Sequence, residues 1–131
     1  MKTKNVITLD DAKRVAAAAQ AEAERNNWDV VIAVVDEGGN LKYLQREDAL
    51  LGSIDIAIDK AKAALLFRRP TQVWEEKVAS GHSGCMSLRG VVAVEGGVPL
   101  VVNGETVGAI GVSGVKSAED GQIAKAGAKA L

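Results

Sequence analysis

The stretch Gly96–Gly114, GGVPLVVNGETVGAIGVSG, decides how this chain is read. Two β-rich runs, Val98–Val102 and Glu105–Ser113, flank the dipeptide Asn103-Gly104. An Asn-Gly pair accepts the two positive φ angles of a type I′ turn, so this spacing predicts a tight hairpin. Gly96 and Gly97 precede the hairpin, and Gly108, Gly111 and Gly114 recur every third residue along its second strand. Glycine weakens a strand interior. Repeated glycines therefore mark bulges, or a surface that a ligand or another backbone approaches closely.

Upstream, Asp29–Asp36 (DVVIAVVD) is apolar at nearly every position, which reads as a strand covered on both faces and hence central. Residues 37–40 form a turn by composition, and Leu41–Gln45 returns as the partner strand. Val91–Val94 reads as a further strand, giving five. Thr8 is placed to cap a helix whose apolar face is Leu9, Ala12, Val15, Ala16, Ala19 and Ala23, ending near Asn26-Asn27. Ser53 is expected to cap the helix SIDIAIDKAKAALLF, QVWEEKV follows as a short helix, and Ser117, with Asp120 at SxxD spacing, is expected to cap a C-terminal helix with Ile123, Ala126, Gly127 and Ala130 on its small-residue face. Two hairpins with a central strand buried on both sides predict one α+β domain over 1–131, an antiparallel sheet packed against helices.

Composition narrows the functional classes. With 47% hydrophobic and 25% charged residues, the chain has the balance of a soluble globular domain. Its net charge of −1 and lack of a basic stripe remove the phosphate-neutralising term of nucleic-acid binding. The single Cys85 rules out an internal disulfide and any CxxC site. No run is apolar enough for a signal h-region or a membrane span, so the expectation is a cytoplasmic protein without a membrane partner.

The segment SGHSGCMSLRG (80–90) breaks every periodicity and holds the only histidine and the only cysteine. Long irregular segments inside small domains are often functional. His82 is the natural candidate for a metal or haem ligand or a general acid/base, although an exposed loop histidine fits the pattern equally well. Lys60 falls beside Ile56 and Ala63 on a half-apolar stripe. Its ammonium is expected to bind an anionic substrate, to pair with a buried acid such as Asp120, or to snorkel to solvent. Asp55 and Asp59 share one face of the same helix with Lys62 one turn beyond, a pattern that fits weak binding of a hard cation or, more often, a solvated face with Asp59–Lys62 as a surface pair. The candidate site is therefore Lys60, His82 and Asp120 as catalytic groups, with Ser83, Ser113 and the Gly96-Gly97 amides binding the ligand, the amides in the manner of an oxyanion hole. Gly111-Val-Ser113-Gly-Val and Gly81-His-Ser83-Gly-Cys each lack the last glycine of a nucleophile elbow, and no phosphate-binding loop is present.

Taken together, IAVVDEGGNL, GSIDIAIDKAKAA, GGVPLVVNGETVGAIGVSG and the ending EDGQIAKAGAKAL resemble the GlcG/HbpS family of haem-binding-type domains, a group that includes the C-terminal domain of PduO-type corrinoid adenosyltransferases. The resemblance spans nearly the whole chain in the same order. It implies a five-stranded antiparallel sheet with helices on both faces, in a profilin-like or PAS-like arrangement, and assembly into homo-oligomers. It also implies a small-ligand-binding protein, with haem or iron as candidate cofactor, accessory to a catabolic pathway. The family's axial histidine is associated with the N-terminal part of the domain, but Leu9–Arg25 contains no histidine and Asn40 occupies the first hairpin turn. His82 is left as the possible haem or iron ligand, with Cys85, Met86 and Tyr43 as the other donors. The alternative is a small isomerase, lyase or hydrolase acting on a carbonyl or carboxylate metabolite.

Overall fold

A computed structural model describes all 131 residues. The element order is α1 (Leu9–Arg25), β1 (Val31–Val35), β2 (Leu41–Gln45), α2 (Ser53–Phe67), α3 (Gln72–Ala79), a 3-10 turn (Ser83–Ser87), β3 (Gly97–Val102), β4 (Glu105–Ser113) and α4 (Ser117–Ala128). The strands form one antiparallel sheet in the order β2-β1-β4-β3. Asn103 and Gly104 take φ of 51° and 78°, the two left-handed residues a type I′ turn requires.

Side-chain alternation sorts the sheet into two faces. Ile32, Val34, Ile110 and Val112 point into the main core with Val15, Ala16 and Ala19 of α1 and Ile123 and Ala124 of α4. Val31, Ala33, Val35 and Ala109 point the other way, onto Ala57, Ala61, Ala64 and Leu65 of α2. All five β1 residues are buried, as a central strand between two helical layers demands. Small side chains dominate both layers, so the helices sit close to the sheet.

Three local expectations give way. The sheet has four strands, because Val91–Val94 joins no ladder. The edge of β3, where a fifth strand would pair, is engaged at Gly97 by Thr71. The Thr71 N–H donates to Gly97 O at 3.0 Å, and the Gly97 N–H donates to Thr71 Oγ1 at 2.9 Å. The strand also breaks at Gly96, whose φ is 137°. Ser53 and Ser117 are first helical residues instead of caps, with Gly52 and Lys116 one position earlier. At α4 the Lys116 N–H donates to Glu119 Oε1, while the Asp120 carboxylate is drawn elsewhere. A bulge between Leu100 and Val101 against β4 puts Val107 in the main core, on the face opposite Ala109, where simple alternation would place the two together. Thr8 caps α1 as expected: its hydroxyl accepts the Asp11 N–H, and Asp11 Oδ2 accepts the Thr8 N–H.

Candidate functional site

The sequence candidates separate into a buried group and an exposed one. In the buried group, Lys60 of α2 reaches past the end of the sheet to Asp120 of α4. Its Nζ donates to Asp120 Oδ2 at 3.0 Å and to the carbonyl of Val112 at 3.0 Å. The two side chains are 1% and 3% exposed, so the pair is closed to solvent within the protomer. Asp120 also accepts the Val115 N–H at 3.2 Å. Burial pushes the Asp120 carboxyl above its ordinary value, and the Lys60 charge and hydrogen bond oppose the rise without cancelling it.

Glycines make this junction possible. A Cβ at Gly111 would stand 2.0 Å from Ala57 O, and one at Gly97 would stand 2.2 Å from Lys60 O. At Gly96 it would meet Val112 O at 2.6 Å and Lys60 Nζ at 2.8 Å. The space at Gly96, Gly97 and Gly111 is thus filled largely by the backbone of α2 and the stem of Lys60, whereas Gly108 and Gly114 are closed by Val35 O and Asp29 O. The Gly97 amide is committed to Thr71, and the Gly96 carbonyl accepts the Val112 N–H at 2.9 Å. Ser113 ends β4 opposite Val31 and is buried.

Two members of this junction have no signature in the sequence. Thr71 looks like an ordinary helix-start residue after Pro70, yet it is fully buried and fastens the sheet edge. Glu95 precedes the double glycine. Its side chain is 10% exposed, its closest cation is Lys125 at 3.9 Å, and it lies so near Gly121 that a Cβ there would overlap its carboxylate. The Glu95 N–H donates to Glu75 Oε1 at 3.1 Å. Burial raises the Glu95 carboxyl, Lys125 and Lys60 oppose it, and Glu75 and Glu76 add to it.

The exposed group is His82 and Ser83, at the entrance to the 3-10 turn beside the end of α3. The His82 N–H donates to Lys77 O at 2.8 Å, and His82 Nδ1 lies 3.3 Å from Ser80 Oγ. The latter contact leaves Nε2 free as a donor toward iron. Met86 and Leu88 nearby are 62% and 50% exposed, while Cys85 is half-buried. For a haem iron, His82 has the donor chemistry that would hold it, with Met86 as the neighbouring soft donor. No hydrogen bond connects His82 or Ser83 with Lys60, Asp120, Gly96, Gly97 or Ser113. On the outer face of α2, Asp59 and Lys62 do not form the expected surface pair.

An antiparallel four-stranded sheet between α2 on one face and α1 with α4 on the other, tied together by a lysine–aspartate pair at a glycine-lined junction, defines a compact α+β domain. Residues 7–129 match the family described as haem degrading protein HbpS-like, and the chain belongs to that family. Protein GlcG of Escherichia coli (strain K12) is 44% identical over 114 residues, which cover 86% of this chain and 85% of GlcG. A 15.0 kDa protein of Citrobacter freundii, from the dhaT-dhaS intergenic region, is 38% identical over 91% of this chain and 87% of its own length. Among solved structures, a doubly substituted HbpS of Streptomyces reticuli superposes with a TM-score of 0.88 at 33% identity, covering 100% of this chain and 90% of that one. A PduOC:Heme complex superposes with a TM-score of 0.84 at 27% identity, covering 97% and 96%. No helix of the protein is long and apolar enough to cross a membrane.

Proposed function

We propose that this protein is a homo-oligomeric small-ligand-binding protein, with haem the first candidate ligand and His82 the residue that would hold its iron. The observation that carries this reading is the state of the His82 ring: it stands at an exposed turn, with Nδ1 engaged by Ser80 and Nε2 free, beside exposed Met86 and Leu88. The PduOC:Heme complex, a structural relative, adds support from the family side. His82 would hold the haem iron through Nε2, and haem, if bound, would supply that iron as its reactive centre. Ser80 would fix the ring and its tautomer, and the apolar side chains of the turn would cover one porphyrin face.

Binding is favoured over catalysis by Lys60–Asp120, because a pair 1% and 3% exposed offers no reacting atom to a substrate in the protomer. The test is a haemin titration of the purified protein followed at the Soret band. A shift at micromolar haemin that disappears in His82→Ala supports the reading. No shift, or an unchanged shift in His82→Ala, overturns the assignment.

A further inference from the structure

Two adjoining cavities have no part in the Lys60–Asp120 junction or the His82 turn. The larger, about 530 Å³, lies where the N-terminal strap crosses the tip of the β3–β4 hairpin. Its wall carries Lys2, Lys4, Arg68, Glu37 and Glu105 and no apolar side chain. The smaller, about 220 Å³, shares Arg68, Glu37 and Thr106 with it and adds Leu65 and Leu66. Together they make one cleft, polar at one end and part apolar at the other, with Arg68 common to both.

The walls of this cleft are fixed. Asn5 ties the strap to the hairpin, its N–H and Nδ2 donating to the two Glu105 carboxylate oxygens at 3.3 and 3.2 Å, and Ile7 is buried in the main core. Across the cleft, Asp36 Oδ1 accepts the Gly38 and Asn40 N–H groups at 2.9 Å each, which holds the turn that presents Glu37. The charges on these walls are unmatched. Lys2, Lys4, Arg68 and Glu37 enter none of the protein's four ion pairs.

Arg68 also stands where the backbone favours another residue. It is the C-cap of α2 with φ 54° and ψ 40°, and the Arg69 N–H donates to Ala64 O at 3.3 Å. That left-handed position suits glycine, and the helix end gains nothing from a long side chain there. What the arginine adds is a guanidinium at the meeting of the two cavities, with the planar donor fork that suits a carboxylate. Three cations face two carboxylates, an excess of one positive charge that matches a monoanion. Leu65 and Leu66 offer apolar surface for a hydrocarbon body joined to that charge. Glu37, at the shared wall, repels a second carboxylate.

We infer that this cleft binds a small monocarboxylate with an apolar body, its carboxylate taken by Arg68 with Lys2 and Lys4, its body laid on Leu65 and Leu66, and its preference for one carboxylate over two set by Glu37. The site shares no residue with the haem proposal and does not depend on it. The test is a benzoate titration of the full chain at constant ionic strength, followed by amide chemical shifts, with acetate, phthalate and inorganic phosphate as comparison probes. Benzoate should shift the amides of Arg68, Gly104 and Thr106 with a Kd of about 1 mM or tighter. Acetate lacks the apolar body, phthalate carries a second carboxylate and phosphate lacks the body and carries more charge, so each should bind at least about tenfold more weakly. Arg68→Gly should weaken benzoate at least about tenfold while leaving the melting temperature unchanged or higher, because glycine suits that backbone. Glu37→Gln should narrow the gap between benzoate and phthalate, and His82→Ala should bind benzoate as the wild type does. No shift at about 20 mM benzoate, or shifts confined to other regions, overturns the site. Binding unchanged in Arg68→Gly overturns the assignment of the carboxylate to these cations. Phosphate bound as tightly as benzoate overturns the ligand class, and a benzoate–phthalate gap that survives Glu37→Gln overturns the role of Glu37.

Discussion

The Lys60–Asp120 junction and the His82 turn make opposite use of polar residues. At the junction, charges are removed from water, matched by one another and by backbone carbonyl and amide groups, and enclosed by glycines that admit no side chain. At the turn, the one histidine is left in water with a ring nitrogen unused. Burial makes the first region a matter of stability, and exposure leaves the second accessible for the binding proposed above. A functional candidate is recognised by access as much as by residue type.

The sharpest way to break that comparison is to remove one partner of the buried pair. Asp120→Ala should cost about 3–5 kcal/mol in denaturant unfolding, because it strands the Lys60 ammonium without a counter-charge. Replacing both residues with apolar side chains of similar volume should cost much less. A double variant as unstable as Asp120→Ala would show that the pair is not what is being read. Next in size, Gly97→Ala places a Cβ 2.2 Å from Lys60 O and should destabilise by about 1–3 kcal/mol or more, whereas Gly84→Ala in the exposed turn meets nothing within 4 Å. Equal effects at the two glycines would contradict the crowding described for the junction.

A smaller effect separates the regions by pH. Glu95 has a folded pKa above its ordinary 4.5 because it is buried, so the native state holds its proton more tightly than the unfolded chain does. Its contribution is full below about pH 4.5 and is lost as pH rises through the folded value. Glu95→Gln has no proton to lose, so it should gain stability relative to wild type as pH rises across that window. The difference is read from unfolding midpoints at several pH values, and a difference that shrinks with rising pH would reverse the assignment. Asp36 provides the opposite sign. Burial works to raise its pKa, but the N–H groups of Asn40 and Gly38 outweigh burial and hold it below 3.8, so its contribution is lost as pH falls. Smallest of all, His82→Ala should leave unfolding within about 0.5 kcal/mol of wild type while removing the haemin shift.

Local rules located the Asn103-Gly104 turn, the Thr8 cap and the central β1, because each is set by neighbours in the chain. Lys60 stood out as a charge on an apolar stripe, and Asp120 is the acid it meets. Thr71 and Glu95 were silent, since a threonine after proline and a glutamate before two glycines carry no spacing rule that points to burial. The fifth strand at Val91–Val94 failed for a related reason. A short apolar run has strand propensity, but pairing needs a free edge, and Thr71 engages that edge from a distant part of the chain.

The sequence by itself determined the α+β class, the two hairpins, the helix positions and the family. The class, hairpins and helices follow from periodicity and turn chemistry, which act over a few residues, and the family follows from a resemblance that runs along nearly the whole chain. Tertiary structure alone decided what the hairpin glycines are for. Gly96, Gly97 and Gly111 would suit a ligand cradle or a helix contact equally well along the chain. Only the approach of α2, with Lys60 laid across the end of the sheet, turns them into packing positions and leaves His82 outside.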